Sequence, residues 1–156
     1  MPWLIRADFA DQLVWAEVAR AVGASRSESA DDEAGFVVVD DPEFEGLTPT
    51  RLLALEPHHY GTFFLFDHVG VAHPDHPLLA VDVHDEPGRS FRLIPSEVAD
   101  FAANMLIANM DFADFADSVD PDGIFRGFEP RPPNRADRGR PAGPDRPTRQ
   151  RCRFDR

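Results

Sequence analysis

The residues best placed for chemistry are six aspartates at the ends of apolar runs of strand length. Asp8 follows Leu4-Ile5, Asp40 and Asp41 follow Phe36 to Val39, Asp67 follows Thr62 to Phe66, and Asp82 and Asp85 close Leu78 to Val83. In an open parallel sheet the carboxyl ends of the strands share one edge, and ligands bind in the crevice beside it. Carboxylates gathered there can hold Mg²⁺ for phosphoryl transfer or nuclease chemistry. Such a site also needs a cation to steady phosphate, and this chain without lysine offers only Arg6, Arg89 and Arg92 nearby. Aspartate at a strand end is equally the ordinary acceptor of a turn or a helix cap, which gives all six a structural alternative.

The histidines form a second constellation. His58, His59, His68, His73, His76 and His84 fall within 27 residues, interleaved with Asp67, Asp75, Asp82 and Asp85. Imidazole with carboxylate ligates Zn²⁺, and His73 with His76 could reach one ion from a single loop. Their spacing matches no specific zinc signature, and histidines in a proline-rich loop such as Ala72-His73-Pro74-Asp75-His76-Pro77 are ordinarily solvated. The sequence contains no phosphate-binding glycine loop, no dinucleotide-binding glycine turn and no Gly-x-Ser-x-Gly elbow. Its one cysteine, Cys152, lies near the end, so no intramolecular disulfide or cysteine metal site can form. The expectation is therefore no resident cofactor, with Mg²⁺ or Zn²⁺ as the alternative.

The most distinctive local pattern is Asn104-Met105 repeated as Asn109-Met110, followed by Asp111-Phe112. Asn109 in the left-handed conformation would close one helix, and Asp111 would cap the next. As a functional reading, Asn104, Met105, Asn109, Met110, Asp111 and Phe112 form an exposed partner-binding surface, because methionine and aromatic residues are enriched at interfaces.

The elements that must position these groups follow from periodicity. Leu4-Ile5 is a short strand. Asp8, supported by Asp11, opens a helix whose Val14, Val18 and Val22 share a face, and Gly23 ends it before a polar loop from Ser25 to Asp32. Phe36 to Val39, apolar without alternation, suits a strand buried on both faces. Thr48-Pro49 starts a short helix carrying Leu52, Leu53 and Leu55. Thr62 to Phe66, Leu78 to Val83 and Phe91 to Ile94 are strands, the last two joined around Glu86-Pro87-Gly88-Arg89. Pro95 opens a helix with Val98, Phe101, Ala102 and Met105 on one face, and Phe112, Phe115, Ala116 and Val119 repeat the pattern. After the turn Asp120-Pro121-Asp122-Gly123, Ile124 to Phe128 returns to the body. The order βαβαβββαα implies a single α/β domain with a mixed, mostly parallel sheet of about five strands flanked by helices.

Charge divides the chain by position. Residues 1–129 carry 25 Asp and Glu against 7 Arg, a net of −18, whereas residues 130–156 carry 9 Arg against 3 Asp, a net of +6. The first part has the size of one domain. The second, nearly all Arg, Pro, Gly, Ala and Asp, is expected to be a disordered basic tail. Its composition also matches out-of-frame translation of a GC-rich gene, so it carries an expectation of being non-native. An acidic body repels nucleic acid and anionic membranes, and it attracts a basic protein. No run approaches the roughly 18 apolar residues of a membrane span, and no basic-then-apolar leader opens the chain. The expectation is a soluble, cytoplasmic protein.

The body resembles a family of small, acidic, uncharacterised actinobacterial proteins defined only as a domain of unknown function. The resemblance rests on Leu4-Ile5-Arg6-Ala7-Asp8-Phe9, Asp40-Asp41-Pro42 with Gly46-Leu47-Thr48, His76-Pro77-Leu78-Leu79, and Asp85-Glu86-Pro87-Gly88-Arg89. Above all it rests on Ile107-Ala108-Asn109-Met110-Asp111-Phe112 with Gly123-Ile124-Phe125-Arg126-Gly127-Phe128. It covers residues 3–128, members ending near the position of Phe128, and it implies no activity. Missing catalytic motifs and a net of −18 together favour a non-enzymatic interaction protein that binds a basic partner, in the manner of an immunity or inhibitor protein. The alternative is a divalent-metal-dependent phosphoryl-transfer or nucleic-acid-processing enzyme built on the six strand-end aspartates.

Overall fold

The computed structural model describes residues 2–24, 36–55 and 61–128. Its strands are β1 Trp3–Arg6, β2 Val37–Val39, β3 Thr62–Phe66, β4 Leu78–Asp82, β5 Ser90–Leu93 and β6 Ile124–Phe125. They form one sheet in the order β2-β1-β3-β4-β5-β6. β1 pairs parallel with β2 and β3, and β5 with β6, whereas β4 runs antiparallel to both of its neighbours. The helices are α1 Gln12–Ala24, α2 Pro49–Leu53, α3 His68–Ala72, α4 Val98–Leu106 and α5 Phe112–Ala116. The fold is mixed α/β, as the periodicity implied. The polar loop from Ser25 to Asp32 and the basic tail 130–156 lie outside the described residues.

Handedness places the layers. α1 carries the chain from β1 to β2 on one side, and α2 carries it from β2 past β1 to β3 on the other. Right-handed crossovers travelling in opposite directions must cover opposite faces of the sheet. Alternation along the strands then sorts two cores. Leu4, Phe64, Phe66, Ala80 and Phe91 face α1, α4 and α5, while Ile5, Phe63, Leu65 and Val81 face Leu47 and Leu52. The first core is held largely by phenylalanines meeting edge to face. Ring centroids lie 4.7 Å apart for Phe101–Phe115, 5.0 Å for Phe91–Phe112, 5.3 Å for Phe115–Phe125 and 5.7 Å for Phe64–Phe101. Each such pair adds about 0.5–1.5 kcal/mol beyond the area it buries.

Four local expectations change. β2 is an edge strand with Val38 54% exposed, not a strand buried on both faces. Asp11, rather than Asp8, caps α1, its Oδ1 accepting from Leu13 N at 2.9 Å and Val14 N at 3.1 Å. The reason is that Ala7 N and Asp8 N still donate to Phe66 O, so the chain leaves the sheet too late for a helix to start at Asp8. α3 is additional, nucleated by Asp67, whose Oδ1 accepts from Val69 N and Gly70 N. The left-handed residue after α4 is Ala108, at φ +51°, rather than Asn109. Asn109 instead pins Asn104 twice, N to O at 3.0 Å and Nδ2 to Oδ1 at 2.8 Å. Asp111 caps α5, as expected, and does so in a reciprocal box with Asp114.

Gly70 has no room for a side chain. A Cβ there would stand 2.8 Å from Phe66 Cδ2 and 2.9 Å from the backbone oxygen of Pro77. Gly70→Ala is expected to destabilise the domain by about 1–3 kcal/mol, the usual cost of overpacking. At Gly23 a Cβ meets nothing within 4 Å. Gly23→Ala is expected to stabilise by about 0.4–1 kcal/mol through the unfolded chain. Urea unfolding of both variants checks the two signs together.

Candidate functional site

The carboxyl ends of β1, β2 and β3 share one edge of the sheet, and a cation sits at its centre. Arg6, the last residue of β1, is only 3% exposed and lies beneath α1. Its Nε donates to Asp8 O at 3.1 Å, and its Nη1 to Gln12 Oε1 at 2.6 Å and Asp40 Oδ1 at 3.2 Å. The Phe9 ring centroid lies 4.3 Å from the guanidinium carbon. The second Asp40 oxygen accepts from Trp15 Nε1 at 3.0 Å. Removing Asp40 would strand the buried Arg6 charge, although Asp40 itself stands at the surface with its side chain 42% exposed. The other carboxylates of this edge are engaged too. Asp8 Oδ1 accepts from Ala10 N, and Asp41 Oδ1 accepts from Glu43 N to open the 3-10 turn Pro42–Phe44.

Asp67 closes the same edge. Besides capping α3, it receives Arg92 Nη1 at 3.0 Å and Nη2 at 2.8 Å, a two-pronged pair across the sheet to β5. Partial burial pushes the Asp67 carboxyl up, but the hydrogen bonds and charge of Arg92, with the Gly70 N–H, bring it below its ordinary value.

Asp82 and Asp85 are not at this edge, which corrects the expectation that six strand ends converge. β4 is antiparallel, and Asp82 stands in register with Thr62 at the start of β3, the far end of the sheet. Buried at 3% exposure, it accepts from His84 N at 2.9 Å, Asp85 N at 3.3 Å and Glu86 N at 2.8 Å, so it organises the β4–β5 connection. The histidines turn to their own surroundings. His76 Nδ1 donates to Gly70 O, His73 Nδ1 accepts from Asp75 N, and His84 Nδ1 donates to Asp85 Oδ1. His58 and His59 lie outside the described residues. Among the described residues, no three His, Cys, Asp or Glu side chains are grouped as ion ligands. Arg89 holds Glu86 and Asp117, so all three phosphate-steadying candidates face carboxylates.

The third sequence candidate, around the break between α4 and α5, divides between inside and outside. Phe112 is buried against Phe91, and Met105 and Met110 pack on the core. Phe112 therefore cannot belong to an exposed surface. Asn109 and Asp111 are exposed and Asn104 is half-buried. The outward apolar side chains are Leu106 and Ile107, each 70% exposed. Sequence reasoning passed over them, although both fall off the stripe of Val98, Phe101, Ala102 and Met105. A cavity of about 370 Å³ opens beside this corner, lined by Phe64, Phe101, Met105 and Leu106, with His84 and Asp85 on its polar side. Glu97, at the start of α4, is half-buried, and that burial together with the Asp100 charge pushes its carboxyl up.

These features define a small α/β domain in which Arg6, Arg89, Arg92 and Arg126 are engaged by carboxylates and the surplus charge is acidic. The chain belongs to the family described as Domain of unknown function (DUF6924), whose model matches residues 1–128. No curated protein matches the chain.

Because the Asp67 carboxyl is lowered in the folded state, its contribution is complete above the ordinary aspartate range and is lost as pH falls through the lowered value. Asp67→Asn is expected to cost about 1–3 kcal/mol at neutral pH, combining a lost cap with a broken half-buried pair. The gap between wild type and variant should narrow in acid, where the wild-type group is itself protonated. Urea unfolding at neutral and acidic pH checks this, and a gap that does not change with pH would overturn it.

Proposed function

We propose that this domain is a binding protein without catalytic activity of its own, and that it holds a basic protein segment on the corner formed by α4 and α5. The observation that carries this reading is a pair of exposed apolar residues within an acidic stretch of the chain. Leu106 and Ile107, 70% exposed, sit in a stretch from Glu97 to Asp122 that has seven Asp and Glu and no Lys or Arg. Asp117 is paired with Arg89, and Asp120 and Asp122 with Arg126. Among the described residues, no ion pair engages Glu97, Asp100, Asp111 or Asp114. Acidic charge of this kind speeds the approach of a basic partner and rejects nucleic acid, while burial of the apolar pair supplies lasting affinity. An immunity or inhibitor protein works in this way. A cytoplasmic location accords with the lone cysteine, and no helix among the described residues is long and apolar enough to cross a membrane.

The test is capture from a native lysate at physiological salt, with the full chain immobilised beside its Leu106→Ala/Ile107→Ala form. The expected result is a basic protein held by the wild type and held at least about tenfold more weakly by the double variant, since burying two such side chains exceeds the roughly 1.4 kcal/mol that a tenfold change requires. Capture of no basic protein, or equal capture by both forms, would sink the reading.

A further inference from the structure

We propose that the peptide step Asp122-Gly123 is a latent site of isoaspartate formation, held unreactive by Arg126, and that loss of this hold lets the turn before β6 rearrange covalently. It is the one Asp-Gly step in the chain, and no Asn-Gly step occurs. Glycine after aspartate offers its amide nitrogen to the side-chain carboxyl with no Cβ in the way. In the rearrangement the Gly123 nitrogen bonds to Asp122 Cγ. The amide proton and the hydroxyl of the protonated carboxyl leave together as water, which closes a five-membered imide. Solvent water then opens the ring. Cleavage at Cγ restores aspartate, whereas cleavage at the main-chain carbonyl carbon leaves isoaspartate, with the backbone routed through the side chain and longer by one methylene. No oxidation or reduction takes place, and water is the only co-reactant.

The turn withholds both reacting groups. Gly123 N–H donates to Asp120 O at 2.8 Å, a bond the nitrogen must abandon before it can attack. Asp122 Oδ2 accepts from Arg126 Nη2 at 2.7 Å, while Oδ1 accepts from Arg126 Nη1 at 3.1 Å and from Ile124 N at 3.1 Å. Both carboxyl oxygens are therefore fixed, and turning Cγ toward the Gly123 nitrogen breaks these bonds. The Arg126 hydrogen bonds, against a smaller opposing desolvation and with help from the Ile124 N–H, also hold the Asp122 carboxyl below its ordinary value. The carboxylate form has no hydroxyl to lose. Arg126 cannot easily swing away, because Asp75 Oδ2 accepts from its Nε at 3.1 Å and its Nη2 at 2.9 Å, and Asp120 Oδ2 from its Nη1 at 2.7 Å. Exclusion of water is not the protection, since the Asp122 side chain is 46% exposed. The step directly precedes Ile124 and Phe125, which pair with Arg92 and Leu93 of β5, so an added methylene there would disturb the register of β6.

The test holds the full chain in warm, mildly acidic buffer and follows isoaspartate by enzymatic methyl transfer from S-adenosylmethionine, with the position assigned by electron-transfer fragmentation in a mass spectrometer. Native wild type should accumulate isoaspartate at residue 122 at least about tenfold more slowly than the same chain unfolded in guanidinium chloride, since several hydrogen bonds must be surrendered first. Arg126→Gln, shown to be folded by circular dichroism, should approach the unfolded rate. Arg126→Lys, which keeps the charge but loses the two-pronged hold, should fall between. Val81→Ala, which opens space in the core on the other face of the sheet, should stay near wild type. Equal rates for folded and unfolded wild type would overturn the proposal whether or not any variant folds. So would a folded Arg126 variant no faster than wild type, an acceleration by Val81→Ala that matches Arg126→Gln, or isoaspartate accumulating chiefly at another residue.

Discussion

A guanidinium shut away from water at the end of β1 constrains the whole parallel half of the molecule. Arg6 can remain there only while Asp40, Gln12 and the Asp8 carbonyl satisfy it, and those partners come from the residue after β2, from α1 and from the turn between β1 and α1. One buried charge therefore fixes the spacing of three elements that apolar packing alone would let slide. Trp15 extends the arrangement, bonding Asp40 through its indole and lying 5.5 Å from the Phe66 ring. Burying a guanidinium is a weak source of stability, since desolvation offsets most of the attraction, but leaving it without its carboxylate is costly. The contribution of Arg6 is to geometric definition more than to net free energy.

The domain's carboxylates fall into two populations. One population faces inward along the backbone, with Asp11, Asp41, Asp67, Asp82 and Asp111 each accepting N–H groups at a turn or helix start. Each helix start leaves N–H groups without intrahelical partners whatever its length, so a chain of many short elements uses many such acceptors. The other population, which includes Glu97 and Asp100 at the start of α4, sets the surface field. Site reasoning from residue type alone cannot separate the two, because both are carboxylates near element ends.

Much of the architecture was legible in the sequence, and the misses share a physical origin. Thr48-Pro49, the spacing of Phe101 with Met105, and the cap at Asp111 are local signals, and they located α2, α4 and α5. The direction of β4 is not a local property. The link from Asp67 to Pro77 contains only the single-turn α3, too short to carry the chain back for a parallel strand, so β4 returns antiparallel and takes Asp82 to the opposite end. That one reversal dissolves the six-carboxylate site. The edge position of β2 was likewise invisible, since Phe36 to Val39 reads the same at an edge as at a centre. Leu106 and Ile107 were readable from the helical wheel but were eclipsed by the more conspicuous asparagine and methionine repeat.

Arg126 gathers Asp75 from the α3–β4 loop and Asp120 and Asp122 from the turn before β6, at 2.7–2.9 Å. With three anions around one cation, the arrangement is unequal in its tolerance of sequence drift. Any one aspartate can vary while two others still hold the arginine, so each acidic position is buffered by redundancy. The arginine has no substitute: replacing it leaves three carboxylates facing one another across a loop junction. Evolutionary freedom at this corner is therefore lopsided, with variation expected to accumulate on the acidic side and constraint to concentrate on a single basic residue.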